Sequence, residues 1–261
     1  MKPLYKEILF SSFLFISAFL LTIFIHESGH AFLVKYFSIP GTFFHNRIDW
    51  NYEVATTEQS IWVCLGGSIF SFIQLLIFLP VAVGLKTDNR FVRLFICWLA
   101  LFATVTFLGY WVIGLIPTWS DISGFYELTG THWWIRIVVA VGVLFLFPVV
   151  LGRLKYPISY SMNLKLSEDP VKQAKFVILY PSFIATGILI LLTFPVKSLI
   201  SISFPASIPL FVLSTYFRIA KDKSLIFKDN ELTNNQWIAS ILLFVMLTII
   251  SILFSRGISL Q

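Results

Sequence analysis

Of 261 residues, 57% are hydrophobic and 12% charged, with 28 Phe and a mean hydropathy of +0.86. A soluble domain carries about twice that share of charge, so the composition excludes one and specifies a helical protein that crosses a membrane several times. The net charge of +6 is scattered between apolar runs and forms no basic tract, which points away from nucleic acid and towards membrane topology and anionic lipid.

The first apolar run covers about Ile8 to Phe37. Met1 to Glu7 looks like a basic leader, but the run behind it has no convincing small-residue cleavage site, so it is expected to stay in the protein. Its uncharged part, Ile8 to Ile25, is long enough to be a membrane span. Without a turn signal it then continues into Ile25-His26-Glu27-Ser28-Gly29-His30-Ala31. Histidines four residues apart lie about 40° apart around a helix, so His26 and His30 can grip one ion from one face. Glu27 stands about 100° round from His26, beside that ion without displacing a ligand. In an H-E-x-x-H zinc site the glutamate takes a proton from the attacking water and returns it to the leaving amine. Ionisable side chains in a span cost about 2.5–3.5 kcal/mol each near the centre, so a chance polar cluster is the weaker reading.

The string "FIHESGHAFLVKYF", Phe24 to Phe37, placed in a membrane helix, resembles the site-2 protease family of intramembrane zinc metalloproteases. The resemblance implies three core helices, with the histidine pair on the first and an aspartate zinc ligand on the third. It also implies a β-hairpin or re-entrant loop after the first helix that pairs with an unwound substrate. The stretch Gly41 to Ser60, aromatic and polar without helical period, fits that element and fits a plain interfacial loop equally well.

A second span is expected over about 61–85, bent at Pro80. Where the family often has Gly-Pro followed by Asn, this chain has Gly66-Gly67 and then Ser71; close helix packing is the simpler reading of the two glycines. Cys64 and Cys97 fall in apolar runs and read as small buried hydrophobes. A third span over about 91–117 leads to Asp121. The family pattern there is Asn-x-x-Pro and then Asp-Gly; here Gly114 replaces the Asn, Pro117 is kept, and the Gly is displaced to Gly124. By resemblance Asp121 is the third zinc ligand, with Glu127 and His132 in reserve and a helix-capping or loop aspartate as the alternative.

Four further segments, at about 133–152, 176–196, 198–217 and 237–255, complete the chain, with Pro181, Pro195, Pro205 and Pro209 as kink points and polar loops at 153–175 and 218–236. The expected fold is all-α: a polytopic membrane bundle of about seven transmembrane helices, residues 1–130 forming the metalloprotease core and 131–261 the rest of the membrane domain. With the N-terminus in the cytoplasm, only Lys35, Arg47, Arg136, Lys197 and Arg256 of the 19 basic residues fall outside. Trp50, Trp62, Trp111, Trp119, Trp133 and Trp134 then gather at the outer interface, and the motif lies towards that face, whereas the family is usually described with the metal nearer the cytosol.

The expected function is a zinc endopeptidase acting on peptide bonds in or next to transmembrane segments of membrane protein substrates. Glu27 would be the catalytic base, and His26, His30 and Asp121 the ligands of Zn2+. Seven-span proteases that take a glutamate ligand from a later helix fit less well, because no later span here carries one. A catalytically degenerate relative, serving as a membrane chaperone, regulator or export partner, is the non-enzymatic alternative.

Overall fold

The computed structural model describes residues 3–116, 120–162, 169–193, 199–222, 225 and 231–260. Pro117, Trp119, Pro195 and Lys197, all used in the sequence reading, lie outside the described residues.

Helix α1 runs Pro3–Tyr36. Its 34 residues extend about 50 Å, more than enough to cross a hydrocarbon core of about 30 Å. It stops before Pro40: Ser38 takes a left-handed turn (φ 55°) and the Ile39 N–H closes back on the Val34 carbonyl at 2.9 Å. Two strands follow, β1 (Gly41–Phe43) and β2 (Ile48–Trp50), antiparallel with Gly41 opposite Trp50 and Phe43 opposite Ile48. The stretch left open between hairpin and loop is therefore a hairpin.

Helix α2 (Thr57–Gly84) starts on a Thr56/Gln59 capping box and contains Pro80. It lies against α1 at backbone distance: a β carbon on Gly66 would stand 2.7 Å from the Gly29 carbonyl oxygen. Gln74 donates to Thr22 across the same seam at 2.8 Å. Helix α3 (Arg90–Ile113) is the most enclosed element, and Phe15 of α1 meets Trp98 and Phe102 edge to face at 4.9 and 4.8 Å. It ends earlier than the apolar run suggested, turning at Gly114.

After the short α4 (Asp121–Leu128) come α5 (Trp133–Arg153) and α6 (Lys155–Ser159), then α7 (Pro170–Ala174), a single π turn over Lys175–Leu179, and α8 (Tyr180–Leu192). Helices α9 (Leu199–Lys221) and α10 (Asn234–Phe254) close the bundle. The prolines explain two side-chain contacts. Pro181 has no N–H for the Val177 carbonyl, and Ser11 Oγ donates there instead at 2.5 Å. Pro209 likewise leaves the Pro205 carbonyl without its helical partner, and Thr186 Oγ1 reaches it at 3.5 Å.

Among the described residues six helical stretches are long and apolar enough to cross a membrane, and the segment expected at 198–217 is present as α9. This is an all-α bundle with one small sheet, and its apolar helices are compatible with a multi-pass membrane protein. Two features depart from the sequence reading. The stretch 153–175 is not a plain polar loop: α6 buries Pro157, Ile158 and Ser159, because its turn plugs the base of the bundle beside α3. Residues Ile258–Ser259 also form a third strand, β3, on the far edge of β1, with the Leu260 N–H bonded to the Gly41 carbonyl at 2.9 Å.

Candidate metal centre

His26, Glu27 and His30 sit where α1 meets α2, and all three are buried. Each imidazole is aimed by a bond from its Nδ1. His30 Nδ1 is 2.6 Å from the Val63 carbonyl, which can only accept, so Nδ1 donates there and Nε2 is the ring atom turned towards the centre. His26 Nδ1 is 2.9 Å from Ser71 Oγ. Such outer contacts are what orient metal-binding histidines. The two Nε2 atoms then face each other at 3.3 Å.

Asp121 completes the triangle from another helix. Ser120 caps α4 through a reciprocal bond pair with Ser123, which leaves Asp121 at the first helical position with its carboxylate free to point inward. The capping role weighed for Asp121 thus belongs to Ser120. Asp121 Oδ2 is 3.3 Å from His26 Nε2 and 3.2 Å from His30 Nε2. Partial burial acts to raise its carboxyl, but the two imidazoles, His30 foremost, pull it well below the ordinary carboxylate range.

These distances suit an ion. In a tetrahedral zinc set with bonds of about 2.0–2.1 Å, donor atoms stand about 3.3–3.4 Å apart. Lone pairs and a carboxylate converging this closely repel one another unless a cation or a proton lies among them. The space is kept clear by Gly67: a β carbon there would collide with the Nε2 atoms of both His26 and His30. Two imidazoles and one carboxylate are a donor set that could hold a zinc ion.

Glu27 shares a cavity of about 700 Å³ with His30 and Asp121. One flank of the cavity is the hairpin, through Arg47, Ile48 and Trp50. Another is apolar and deep, with Phe19 and Ile23 of α1, Tyr110 of α3 and Phe204 of α9. Phe19 lies two helical turns from Glu27, so the cavity extends about 12 Å along α1 from the polar centre.

Of the two reserve ligands, Glu127 lines this cavity from α4 without joining the triangle. His132 is elsewhere, as the residue before α5, with its ring beside Trp133 and Trp134 at 6.1 and 6.2 Å. Among the described residues the converging set is His26, His30 and Asp121. Cys64 departs from its sequence reading: Cys97 is buried, but Cys64 is only half-buried and lines the cavity. Gly67 and Ser71 were the features sequence reasoning undervalued; their one visible signal was the Gly66-Gly67 pair with Ser71 one turn on, which reads equally as packing.

No protein-family model matches the chain, and no curated protein or solved structure is significantly similar to it.

Proposed function

We propose that this chain is a zinc-dependent endopeptidase of the site-2 protease type, cutting peptide bonds in or beside transmembrane segments of other membrane proteins. The observation that carries the reading is the triangle of His26 Nε2, His30 Nε2 and Asp121 Oδ2, with sides of 3.2–3.3 Å, opening into the cavity that Glu27 lines. A zinc ion held by those three residues would polarise the scissile carbonyl and lower the pKa of a water molecule towards 7.

The chain's own residues do the rest. Glu27 follows His26 on α1, so its carboxylate is fixed beside the ion-binding atoms; it accepts the proton of the attacking water and passes it to the departing amine. Val63 and Ser71 hold the imidazoles in the orientation the chemistry needs. The free edge of β2 offers backbone hydrogen bonds to an extended peptide, since β1 is already paired on both sides. Phe19, Ile23 and Phe204 accept apolar side chains while keeping bulk water from the carbonyl. A helical segment bonds its own carbonyls, so the substrate must unwind before it fits. By the positive-inside rule the distribution of basic residues favours a cytoplasmic N-terminus, which would turn the catalytic end of α1 towards the opposite face.

The test combines metal analysis with proteolysis. Purified wild-type protein and Glu27→Gln should each carry one zinc per chain. Membranes containing the wild type should show new N-termini within or beside apolar segments, and those containing Glu27→Gln should not. A zinc-free wild type, or cleavage retained by Glu27→Gln, overturns the proposal.

A further inference from the structure

A second, wide-open cavity of about 810 Å³, closer to a surface depression than to an enclosed pocket, lies at the other end of the bundle, between α5–α6 and the last turns of α9. It is lined by Lys155, Ser214, Phe217, Arg218, Lys221 and Asp222. The end is fixed by α3: Arg90, the first residue of α3, bonds the Ser161 carbonyl just past α6 at 2.9 Å, whereas the metal centre adjoins the far end of α1.

Among the described lining residues three cations, Lys155, Arg218 and Lys221, face one carboxylate, Asp222. Lys155 and Asp222 form an ion pair at 2.6 Å. Arg218 and Lys221 are three residues apart on α9, on one face, and neither forms an ion pair with a described residue. Gly152 of α5 gives the Arg218 guanidinium room: a β carbon there would press on Nη1 at 3.0 Å. Arg153, exposed in the last turn of α5, adds a further cation nearby. Below the cavity α5 and α9 are joined by stacked Phe147 and Phe211, with ring centroids 4.9 Å apart. On the outside of α9, Phe217 and Leu210 are 53% and 68% exposed and lie two turns apart on one face, an apolar track leading away from the charges.

Two cations that pair with no carboxylate among the described residues, in an open depression at a helix end continued by an exposed apolar track, match an amphiphile with an anionic head and an acyl chain. We propose that this cavity binds the phosphate head group of an anionic phospholipid, with Arg218 and Lys221 on the phosphate, Lys155 held ready by Asp222, and the acyl chain along Phe217 and Leu210. A fork-shaped guanidinium beside an ammonium is a strong phosphate-binding combination. The inference stands apart from the protease reading, since it uses no residue of the metal centre.

The test is native mass spectrometry of the detergent-solubilised full chain, titrated with phosphatidylglycerol, phosphatidylcholine or inorganic phosphate. Phosphatidylglycerol should remain bound to the wild type at least tenfold more tightly than phosphatidylcholine. Each of Arg218→Gln and Lys221→Gln should weaken it about fivefold, near 1 kcal/mol per cation. Arg218→Lys should retain much of the binding, and Lys35→Gln, at the opposite end, should retain all of it. Inorganic phosphate competing as well as the lipid would identify a free-anion site and overturn the lipid assignment. Equal binding of the two lipids, or no loss in either glutamine variant, overturns the site. Should either variant fail to fold, raising of the wild-type melting temperature by phosphatidylglycerol but not phosphatidylcholine decides the matter.

Discussion

Helix α1 carries a buried polar cluster near each end, and the two are built on opposite principles. Near its start Glu7 is gripped by Arg90, Nη1 to Oε1 at 2.7 Å and Nη2 to Oε2 at 2.6 Å, while Arg90 Nε bonds the Ser161 carbonyl and the guanidinium lies over Phe10. Every charge there is answered by protein, and both residues are almost wholly buried. Near its other end His26, His30 and Asp121 turn ring nitrogens and a carboxylate oxygen towards one another, and the positive charge the protein itself can place among them is a proton on an imidazole. The first cluster is complete as a clasp between α1, α3 and the turn after α6. The second needs a positive charge among its three atoms, which either a proton or a metal ion can supply.

The contrast is best broken at Gly67. Gly67→Ala places a methyl group against both Nε2 atoms, so zinc per chain should fall from one to near zero and the metal-free protein should lose about 1–3 kcal/mol, the clash outweighing the helix preference for Ala. Full zinc occupancy in that variant would mean that the approach of α2 does not shape the centre. Arg90→Ala should do the reverse. It leaves the Glu7 carboxylate buried and unpaired and should destabilise the fold by about 3–5 kcal/mol in denaturant titrations, with zinc stoichiometry of the folded fraction unchanged. Replacing both partners, Glu7→Leu with Arg90→Met, should recover most of that loss; if the pair is no more stable than Arg90→Ala, the clasp does more than satisfy itself.

Smaller effects sharpen the picture. Ser71→Ala removes the bond that aims His26 and should weaken zinc about 10–100-fold in competition with a chelator, leaving folding intact. His132→Ala, by contrast, should leave zinc affinity unmoved. The smallest change concerns the hairpin. Gly257 turns the chain into β3 at φ 78°, and a β carbon there would press on Thr42 and Phe44. Gly257→Val should cost about 1–2 kcal/mol locally, read as faster hydrogen exchange of the β1 amides, without loss of metal. Unchanged exchange would show that β3 is not what holds β1 in place.

Much of this architecture was legible before any coordinates. Apolar runs of membrane-crossing length are a one-dimensional property, and helix formation within them follows because backbone groups in lipid must bond internally. The His26–His30 pairing was equally legible, since four residues on a helix fix a common face. Less of the chain between runs could be read. The burial of α6 depends on the α3 end beside which it packs, and β3 pairs with a strand more than two hundred residues earlier in the chain.

The sequence by itself therefore determined the class of fold, the helix that bears the two histidines, and the position of Glu27 beside them, because each rests on local helical geometry or summed hydropathy. Only the tertiary structure decided that Asp121, and not His132, meets the histidine pair, that Gly67 and Ser71 clear and orient it, and that the hairpin is closed by β3. Those choices depend on the relative placement of helices whose sequences constrain which faces are apolar but leave open how far each slides along its neighbour. Backbone contact between Gly29 and Gly66 and the cap at Ser120 are what set that placement here.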